Sequence, residues 1–308
     1  MKLPILMDCD PGHDDAIALL MAFASDAFDI KGVTITGGNQ TLAKTLNNAR
    51  KVLSFAGKTT RIAAGSDKPL LRELEVAPQV HGDSGLDGPV LPESDLPVEP
   101  MHAIELMKEI CDQSPEPITI VATGPLTNVG TFLTVYPECK HKIKQIAIMG
   151  GSMVGGNWSS SAEFNILVDP EAANIIFSSD IPIIMAGLDV THKALIYEED
   201  VERIRSMGKK VSTMVAELLD FFMKFHKSMG YHGAPLHDAC AVAYLIKPEI
   251  FIGKEYYVEI ETKGEFTTGS TVVDQFNRYK KKANTRVLLD LDRQAFVELL
   301  VELVSHYD

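Results

Sequence analysis

The chain has 308 residues, of which 45% are hydrophobic and 23% are charged, a balance that supplies a hydrophobic core and excludes intrinsic disorder. Acidic residues outnumber basic ones by 42 to 29, and the net charge of −13 disfavours nucleic acids and other polyanions as partners. Because no apolar run reaches the roughly 20 residues of a membrane span and no secretory leader is recognisable, we expect a cytoplasmic protein without a membrane partner.

The first two thirds of the chain alternate Val/Ile-rich apolar runs with helical patterns. Strands are predicted at residues 3–7, 30–36, 118–122, 143–149 and 181–186, and helices at residues 16–24, 42–56 and 126–134. Continuous apolar strands that alternate with helices indicate an α/β fold with an open, mainly parallel central sheet, covered by helices on both faces.

The rest of the chain continues without a linker, an internal repeat or a low-complexity segment. Helices are predicted at residues 211–225, 239–246 and 293–304, a loop at residues 230–235, and strands at residues 256–260 and 287–290. We therefore predict a single domain over residues 1–308.

Polar residues and glycines follow the predicted strands. In sheets of this kind the ligand lies beyond the carboxyl ends of the strands, so these positions are the candidate site. In chain order they are Asp8, Asp10, Asp14 and Asp15; Gly37, Gly38 and Asn39; Thr123, Gly124 and Asn128; Gly150, Gly151 and Asn157; and Gly187, Asp189 and His192.

The first of these groups places four aspartates in one short turn. Asp8 and Asp10 alternate along a strand end and so point to the same side, while Asp14 and Asp15 begin the next helix. Four crowded carboxylates repel each other unless a cation compensates them, and oxygen ligands suit calcium or magnesium. Helix capping is the alternative for Asp14 and Asp15, but it accounts for two acids rather than four.

Two further groups have an ordinary explanation beside a functional one. His237-Asp238 precedes an apolar helix, either as a simple cap with a lone histidine or as a further metal ligand beside a proton donor. Glu163 and Asn165 flank Phe164, so an extended segment would direct both polar groups to one side, where they could bind sugar hydroxyls. An ordinary polar edge segment explains the same pattern.

The sequence resembles the nucleoside hydrolase family of the inosine-uridine preferring type over nearly its whole length. The resemblance rests on Asp8-Cys9-Asp10-Pro11-Gly12-His13-Asp14-Asp15-Ala16, Thr36-Gly37-Gly38-Asn39, His81-Gly82-Asp83, Thr123-Gly124-Pro125-Leu126-Thr127-Asn128, Met149-Gly150-Gly151, Ala162-Glu163-Phe164-Asn165 and Pro235-Leu236-His237-Asp238. The opening aspartate-rich motif is the longest and most specific of these matches.

The resemblance implies a role for each matching position. One calcium ion per chain would be bound by the carboxylates of Asp10, Asp15 and Asp238 and by the main-chain oxygen of Thr123. The ribose would be held by Asp14, Asn39, Asn157, Glu163 and Asn165, with Met149 lining the sugar pocket and with His81, His237 and, less firmly, Tyr231 near the base. The family also implies a nucleoside as the small-molecule partner and a homo-oligomer, a dimer or homotetramer.

The implied reaction is hydrolysis of the N-glycosidic bond of a ribonucleoside to ribose and free base. We expect Asp10 to act as the general base on a calcium-bound water, and His237 to act as the acid for the departing base. A sandwich of the base between two indoles is excluded because Trp158 is the single tryptophan, which favours inosine, uridine or cytidine as the substrate.

Two other functions are alternatives to nucleoside hydrolysis. Asp8-Cys9-Asp10 matches the Asp-x-Asp fragment of haloacid dehalogenase-type phosphatases, but Gly12 stands where those enzymes usually have Thr or Val, and the pair Asp14-Asp15 is left unexplained. A nucleoside sensor that binds without turnover is the second alternative.

Overall fold

The computed structural model describes residues 2–307. Its strands are β1 (Leu3–Cys9), β2 (Phe28–Ile35), β3 (Ile62–Ala64), β4 (Ile118–Ala122), β5 (Ile143–Met149), β6 (Ile183–Ala186), β7 (Leu195–Ile196), β8 (Ala234–Pro235), β9 (Phe251–Tyr256), β10 (Val258–Ile260), β11 (Thr271–Val273) and β12 (Thr285–Leu291). Its α-helices are α1 (His13–Ala24), α2 (Leu42–Phe55), α3 (Pro78–His81), α4 (Ala103–Gln113), α5 (Thr127–Val135), α6 (Phe164–Val168), α7 (Pro170–Phe177), α8 (Leu188–Thr191), α9 (Glu198–Arg205), α10 (Lys210–Ser228), α11 (Ala239–Ile246) and α12 (Arg293–Ser305). Short 3-10 helices span Pro137–Lys142 and Pro248–Ile250.

A central sheet of eight strands has the order β3-β2-β1-β4-β5-β6-β12-β9. Neighbouring strands are parallel along this order except for β9, which pairs antiparallel to β12 at one edge. β4 and β6 are buried along their whole length, and β1 is buried from Pro4 to Cys9, as in sheets covered on both faces.

Helices cover both faces of this sheet. On one face α1, α2, α10, α11 and α12 enclose a core that includes Leu19, Leu53, Leu219 and Phe296. On the other face α4, α5 and α7 enclose a second core around Phe132 and Ile176. This architecture confirms the predicted α/β class, and the single domain over residues 1–308 stays a prediction. Within residues 2–307, none of the helices has the length and apolar composition needed to cross a bilayer.

One predicted strand was wrong in its bounds. The predicted strand at residues 256–260 is interrupted, because β9 ends at Tyr256 in the central sheet and β10 starts at Val258 in a separate hairpin with β11. The apolar pattern runs across this break, so the pattern gave no sign of the change of sheet.

The strand order reverses direction at β1. From β1 the chain adds β2 and β3 on one side, and then β4, β5 and β6 on the other. The loops after β1 and β4 therefore diverge and leave a crevice at the carboxyl edge of the sheet, which is where open α/β sheets bind ligands. Asp10 follows β1 and Thr123 follows β4, so both lie at this crevice.

Candidate active site

A cavity of about 640 Å³ opens at the carboxyl edge of the sheet. Among the residues that line it are Asp14, Asn39, His81, Thr123, Met149, Asn157, Glu163, Asn165, Tyr231, His237 and Asp238. The sequence predicted all of these as site residues. The two remaining predicted residues, Asp10 and Asp15, are buried directly behind the cavity, where they contact Asn39.

Three carboxylates converge at the floor of the cavity. Asp14 and Asp15 come from the first turn of α1, and Asp238 is the residue before α11. Each offers an oxygen within 4.8 Å of the others, and all three side chains are buried. Burial together with the charge of Asp15 raises the pKa of Asp14 to about 7, and burial also raises the pKa of Asp238 well above its ordinary value.

Asp10 lies against this cluster in a space that two glycines leave open. A Cβ at Gly124 would come within 2.4 Å of its Oδ1, and one at Gly38 within 2.1 Å of its Oδ2. Oδ2 accepts a hydrogen bond from the main-chain N–H of Asn39 at 2.6 Å, whereas Oδ1 is buried without a hydrogen-bond partner in residues 2–307. Burial and the neighbouring Asp15 raise the pKa of Asp10 well above its usual range.

These observations fit a divalent cation. Buried acids whose pKa values are raised by burial and by mutual repulsion need a compensating positive charge to ionise, and the orphaned Oδ1 of Asp10 offers an unused acceptor. The available ligand atoms are all oxygens, which calcium and magnesium prefer. The cluster could therefore hold such a metal ion.

Asp8, the fourth aspartate of the turn, is buried but is not among the three carboxylates that converge. Burial and the nearby charge of Asp15 raise its pKa to about 7, and its Oδ2 has no hydrogen-bond partner in residues 2–307. Its Oδ1 accepts hydrogen bonds from Thr34 at 2.6 Å and from Asn128 at 2.8 Å. These contacts link β1 to β2 and to α5, which makes Asp8 a structural residue of the sheet edge.

The side chains of two residues with other predicted roles, Thr123 and Asn39, donate hydrogen bonds to Asp15. Its Oδ1 accepts from the Thr123 hydroxyl at 2.7 Å, and its Oδ2 accepts from the Asn39 amide at 3.0 Å. Asn39 thus orients the acids from the side of the cavity, in addition to its place in the cavity wall.

The segment around Glu163 is not extended, which corrects the prediction. Glu163 is the N-cap of α6, and its carboxylate accepts hydrogen bonds from the main-chain N–H groups of Asn165 at 3.0 Å and Ile166 at 3.2 Å. It also accepts from Gly151 N–H at 3.0 Å. Both Glu163 and Asn165 still reach the cavity, because the cap turns the chain there. Burial raises the pKa of Glu163 to about 7 in spite of these donors.

The far side of the cavity is formed by neutral aromatic and imidazole rings. His237 contacts the Thr191 hydroxyl through Nδ1 at 2.8 Å, and the Tyr231 hydroxyl lies 3.3 Å from Nε2 of His192. Burial lowers the pKa of His237 and of His81 well below the ordinary value, and lowers that of His226 to about 4. These rings therefore present uncharged donors and acceptors to a ligand.

The comparison with known proteins agrees with this geometry. The profile of the family described as inosine-uridine preferring nucleoside hydrolase matches residues 5–298. The chain belongs to this family.

Similar proteins include nucleoside hydrolases from bacteria. A pyrimidine-specific ribonucleoside hydrolase RihA from Escherichia coli (strain K12) is 54% identical over 310 residues, which cover 100% of both chains. The RihA of Citrobacter koseri is also 54% identical, over 100% of this chain and 99% of its own. A solved purine-preferring ribonucleoside hydrolase from Gardnerella vaginalis superposes with a TM-score of 0.92 at 27% identity, and the match covers 98% of each chain.

The chain is accordingly an enzyme, a ribonucleoside hydrolase, and not a phosphatase of the haloacid dehalogenase type. Several residues that line the cavity of this nucleoside hydrolase had no predicted role in the site, among them His192, Phe222 and His226. His192 was noted only as a polar residue after a strand. His226 lies within α10, just beyond the predicted helix end, and a lone histidine on an amphipathic helix gives no sequence signal of a site.

Proposed function

We propose that this enzyme hydrolyses the N-glycosidic bond of ribonucleosides with the help of one calcium ion, and that pyrimidine nucleosides are its preferred substrates. The observation that carries the proposal is the convergence of Asp14, Asp15 and Asp238 at the cavity beside the reversal of strand order, with the buried Asp10 sharing Asn39 with Asp15 as a hydrogen-bond partner. Asp10, Asp15, Asp238 and the main-chain oxygen of Thr123 are the proposed ligands. When bound, calcium supplies a positive charge that lowers the pKa of a water molecule and fixes its position.

The remaining chemistry falls to residues of the chain. Asp10 removes a proton from the attacking water, and its orphaned Oδ1 is the proposed acceptor of that proton. Asn39 keeps the carboxylate in place through the hydrogen bond from its main-chain N–H to Oδ2. An ionised Asp10 is compatible with its burial only beside a cation, which is why metal binding and base function belong together.

The ribose is proposed to lie between Asp14 and the segment from Asn157 to Asn165. The carboxylates accept hydrogen bonds from the paired hydroxyls, and the amides accept from them or donate to them. The carboxylates also stabilise the positive charge that develops at the anomeric carbon. Glu163 is pre-oriented for this by three main-chain donors, so little ordering remains when substrate binds.

The departing base receives its proton on the other side of the cavity. His237 is the proposed donor with Tyr231 assisting, whereas His81 is proposed to bind the nucleoside without donating a proton. Burial lowers the pKa of His237, so the resting ring is neutral. The form that reacts is the imidazolium, which gives its proton to the base as the bond breaks and returns to the neutral imidazole.

The base preference follows from the relatives and from the cavity. Relatives at 54% identity are named pyrimidine-specific, whereas the structural relative named purine-preferring is 27% identical. The cavity wall at the base contains His192, His226 and Tyr231 rather than a pair of indoles. Uridine and cytidine are therefore placed ahead of inosine.

Exposed apolar side chains support a homo-oligomer, either a dimer or a tetramer. Phe266 and Phe276 are about four fifths exposed, and Leu71 is similarly exposed. Light scattering during size-exclusion chromatography measures the mass directly. A monomer at all concentrations would contradict this part of the proposal. Location in the cytoplasm stays a prediction from the sequence.

The function is tested with uridine, cytidine, inosine, adenosine and guanosine in an assay for free ribose, with and without a chelator. We expect ribose release to be fastest from uridine or cytidine, to stop with the chelator and to return with added calcium. Tight nucleoside binding without ribose release would show a sensor and contradict hydrolysis. Recovery with magnesium alone would contradict the assignment of calcium.

A further inference from the structure

His13 lies inside the acidic motif but has no part in the chemistry proposed above. Its ring is buried between the metal-binding turn and the segment of residues 81–87. Nδ1 of His13 lies 3.1 Å from Nδ1 of His81, and Nε2 lies 2.7 Å from the main-chain oxygen of Asp87. One side chain therefore holds both ends of the segment that carries His81.

Gly12, next to His13, also allows His81 to approach the acidic turn closely. A Cβ at Gly12 would lie 2.5 Å from Nδ1 of His81, so the imidazole packs directly on the backbone of the acidic turn. On the other side, His13 stacks on Phe221 and Phe222 with ring centroids 5.0 and 5.7 Å away, and His81 stacks on Phe222 at 5.5 Å. An imidazole enclosed by phenyl rings and backbone is neutral and carries one proton.

The hydrogen-bond partners decide where the two protons lie. The Asp87 carbonyl only accepts, so Nε2 of His13 carries the proton and Nδ1 of His13 is an acceptor. Two contacts compete for Nδ1 of His81: it either donates to Nδ1 of His13 at 3.1 Å or accepts from the main-chain N–H of His13, which is directed at it from 3.3 Å. The contact between the rings is the shorter one, and two facing lone pairs would repel there, so we assign the proton to Nδ1 of His81. Nε2 of His81 is left as an unprotonated acceptor, and His81 lines the cavity.

We propose that His13 is a positioning residue, which holds His81 with a bare Nε2 toward the substrate so that His81 accepts a hydrogen bond from a donor group of the nucleoside. The inference rests on the proposed function for the place of the nucleoside in the cavity. The donor is either the N–H of the base or a ribose hydroxyl, and both chemistries are available in uridine. The motif thus binds the metal on one side and orients a substrate contact on the other.

The first test compares two variants at position 13. His13→Phe keeps a flat ring between Phe221 and Phe222 but removes both nitrogens, and we expect kcat/KM for uridine to fall by about 10- to 100-fold. His13→Asn offers a side-chain oxygen that can accept from Nδ1 of His81. Its kcat/KM for uridine should therefore be about tenfold higher than that of His13→Phe. The double variant His13→Phe, His81→Phe should be no slower than His81→Phe alone, because both act through one ring.

A purely structural role for His13 predicts other results. Full activity of His13→Phe, no recovery in His13→Asn, or losses that add in the double variant would each overturn the proposal. Calcium binding, measured by calorimetry, and the melting temperature show whether each variant is folded and loaded. His13→Asn is the smaller change and keeps the comparison available if His13→Phe does not fold.

A second readout does not require turnover, so it separates this proposal from the proposed function. In calcium-loaded protein with ¹⁵N-labelled histidine, the His81 signals are assigned by their absence in His81→Phe. We expect Nδ1 of His81 to be protonated and Nε2 to be unprotonated, and we expect this preference to be lost in His13→Phe. A protonated Nε2 in the unsubstituted enzyme would overturn the proposal, even if uridine is hydrolysed.

The source of the donor is distinguished with modified substrates. If the base donates, 3-methyluridine, which lacks the N–H, should be a poorer substrate than uridine for the unsubstituted enzyme but not for His81→Phe. If a ribose hydroxyl donates, the same loss of discrimination should appear with the 2′-, 3′- or 5′-deoxyuridine that lacks it. Discrimination that is unchanged in His81→Phe for all four modified substrates would overturn the acceptor role of His81.

Discussion

The side-chain amide of Asn165 donates a hydrogen bond to the main-chain oxygen of Thr123 at 2.8 Å. The same Nδ2 donates to the main-chain oxygen of Met149 at 3.1 Å. One amide thus ties the ends of two neighbouring strands, β4 and β5, on the cavity side. Because both partners only accept, the amide orientation is fixed, and Oδ1 of Asn165 is left for a donor such as a sugar hydroxyl.

This relationship predicts that Asn165→Asp is more harmful than Asn165→Ala. A carboxylate cannot donate to either carbonyl, and it brings a buried negative charge near two negative oxygens. We expect Asn165→Asp to lower the free energy of unfolding by about 1 to 3 kcal/mol more than Asn165→Ala does. It should also lower kcat/KM for uridine further. Urea denaturation and steady-state kinetics measure both effects, and equal losses in the two variants would contradict the donor role.

A second prediction concerns Asp10. Asp10→Asn keeps the shape of the side chain, and its oxygen can still accept from Asn39 N–H, so the fold should remain. Removal of the base should lower kcat for uridine by about 100- to 10,000-fold. Near-normal turnover would refute the role of Asp10 as the base.

The matched control is Asp8→Asn, two residues earlier on the same strand end. Asp8 is equally buried, but it is not a proposed metal ligand, and its Oδ1 accepts hydrogen bonds from the side chains of Thr34 and Asn128. We expect this variant to retain much more activity than Asp10→Asn. Equal losses in both variants would mean that the effect of Asp10 is structural.

Much of this architecture is encoded in local patterns that a sequence shows directly. Apolar strands alternate with helices, so the parallel sheet and the edge that carries Asp10 and Thr123 follow from periodicity and from strand ends. The aspartate-rich turn is local as well, because its acids lie within eight positions of each other. The predicted site residues accordingly meet at one cavity or directly behind it.

What the sequence did not show depends on contacts between distant segments. The cap at Glu163 forms because the loop after β5 supplies Gly151 N–H to its carboxylate, and no local pattern indicates that partner. Asp8 accepts a hydrogen bond from Asn128, which lies 120 residues further along the chain, and nothing in the turn indicates this partner. Similarly, His226 joins the cavity only because α10 packs across it. Tertiary hydrogen bonds and helix packing decided these positions.

A third prediction concerns removal of the metal. Without a cation, the raised pKa of Asp14, about 7, means that the acid is more easily protonated in the fold than in the unfolded chain. Its contribution to stability is therefore complete at low pH and is lost as the pH rises through about 7. We expect the chelated enzyme to lose stability as the pH rises from about 4 to about 7, and calcium at 100 times its Kd to restore about 2.7 kcal/mol at pH 8. Calorimetric melting with chelator or calcium tests this, and an unchanged melting temperature at pH 8 would contradict metal binding by these acids.

The last prediction concerns Glu163, whose pKa is raised by burial from its usual value of 4.5 to about 7. The protonated form is favoured by the fold, so the stability it contributes is fully present below about pH 4.5 and is lost as the pH rises through 7. Glu163→Gln cannot ionise, but its NH2 group faces a main-chain N–H whichever way the amide is turned, which lowers stability at every pH. We expect the unsubstituted enzyme to be the more stable of the two at pH 5, and the gap to narrow by up to about 3 kcal/mol by pH 8. Urea denaturation in saturating calcium measures the gap, and a gap that stays constant from pH 5 to pH 8 would show that Glu163 is ionised throughout and is held by its three main-chain donors.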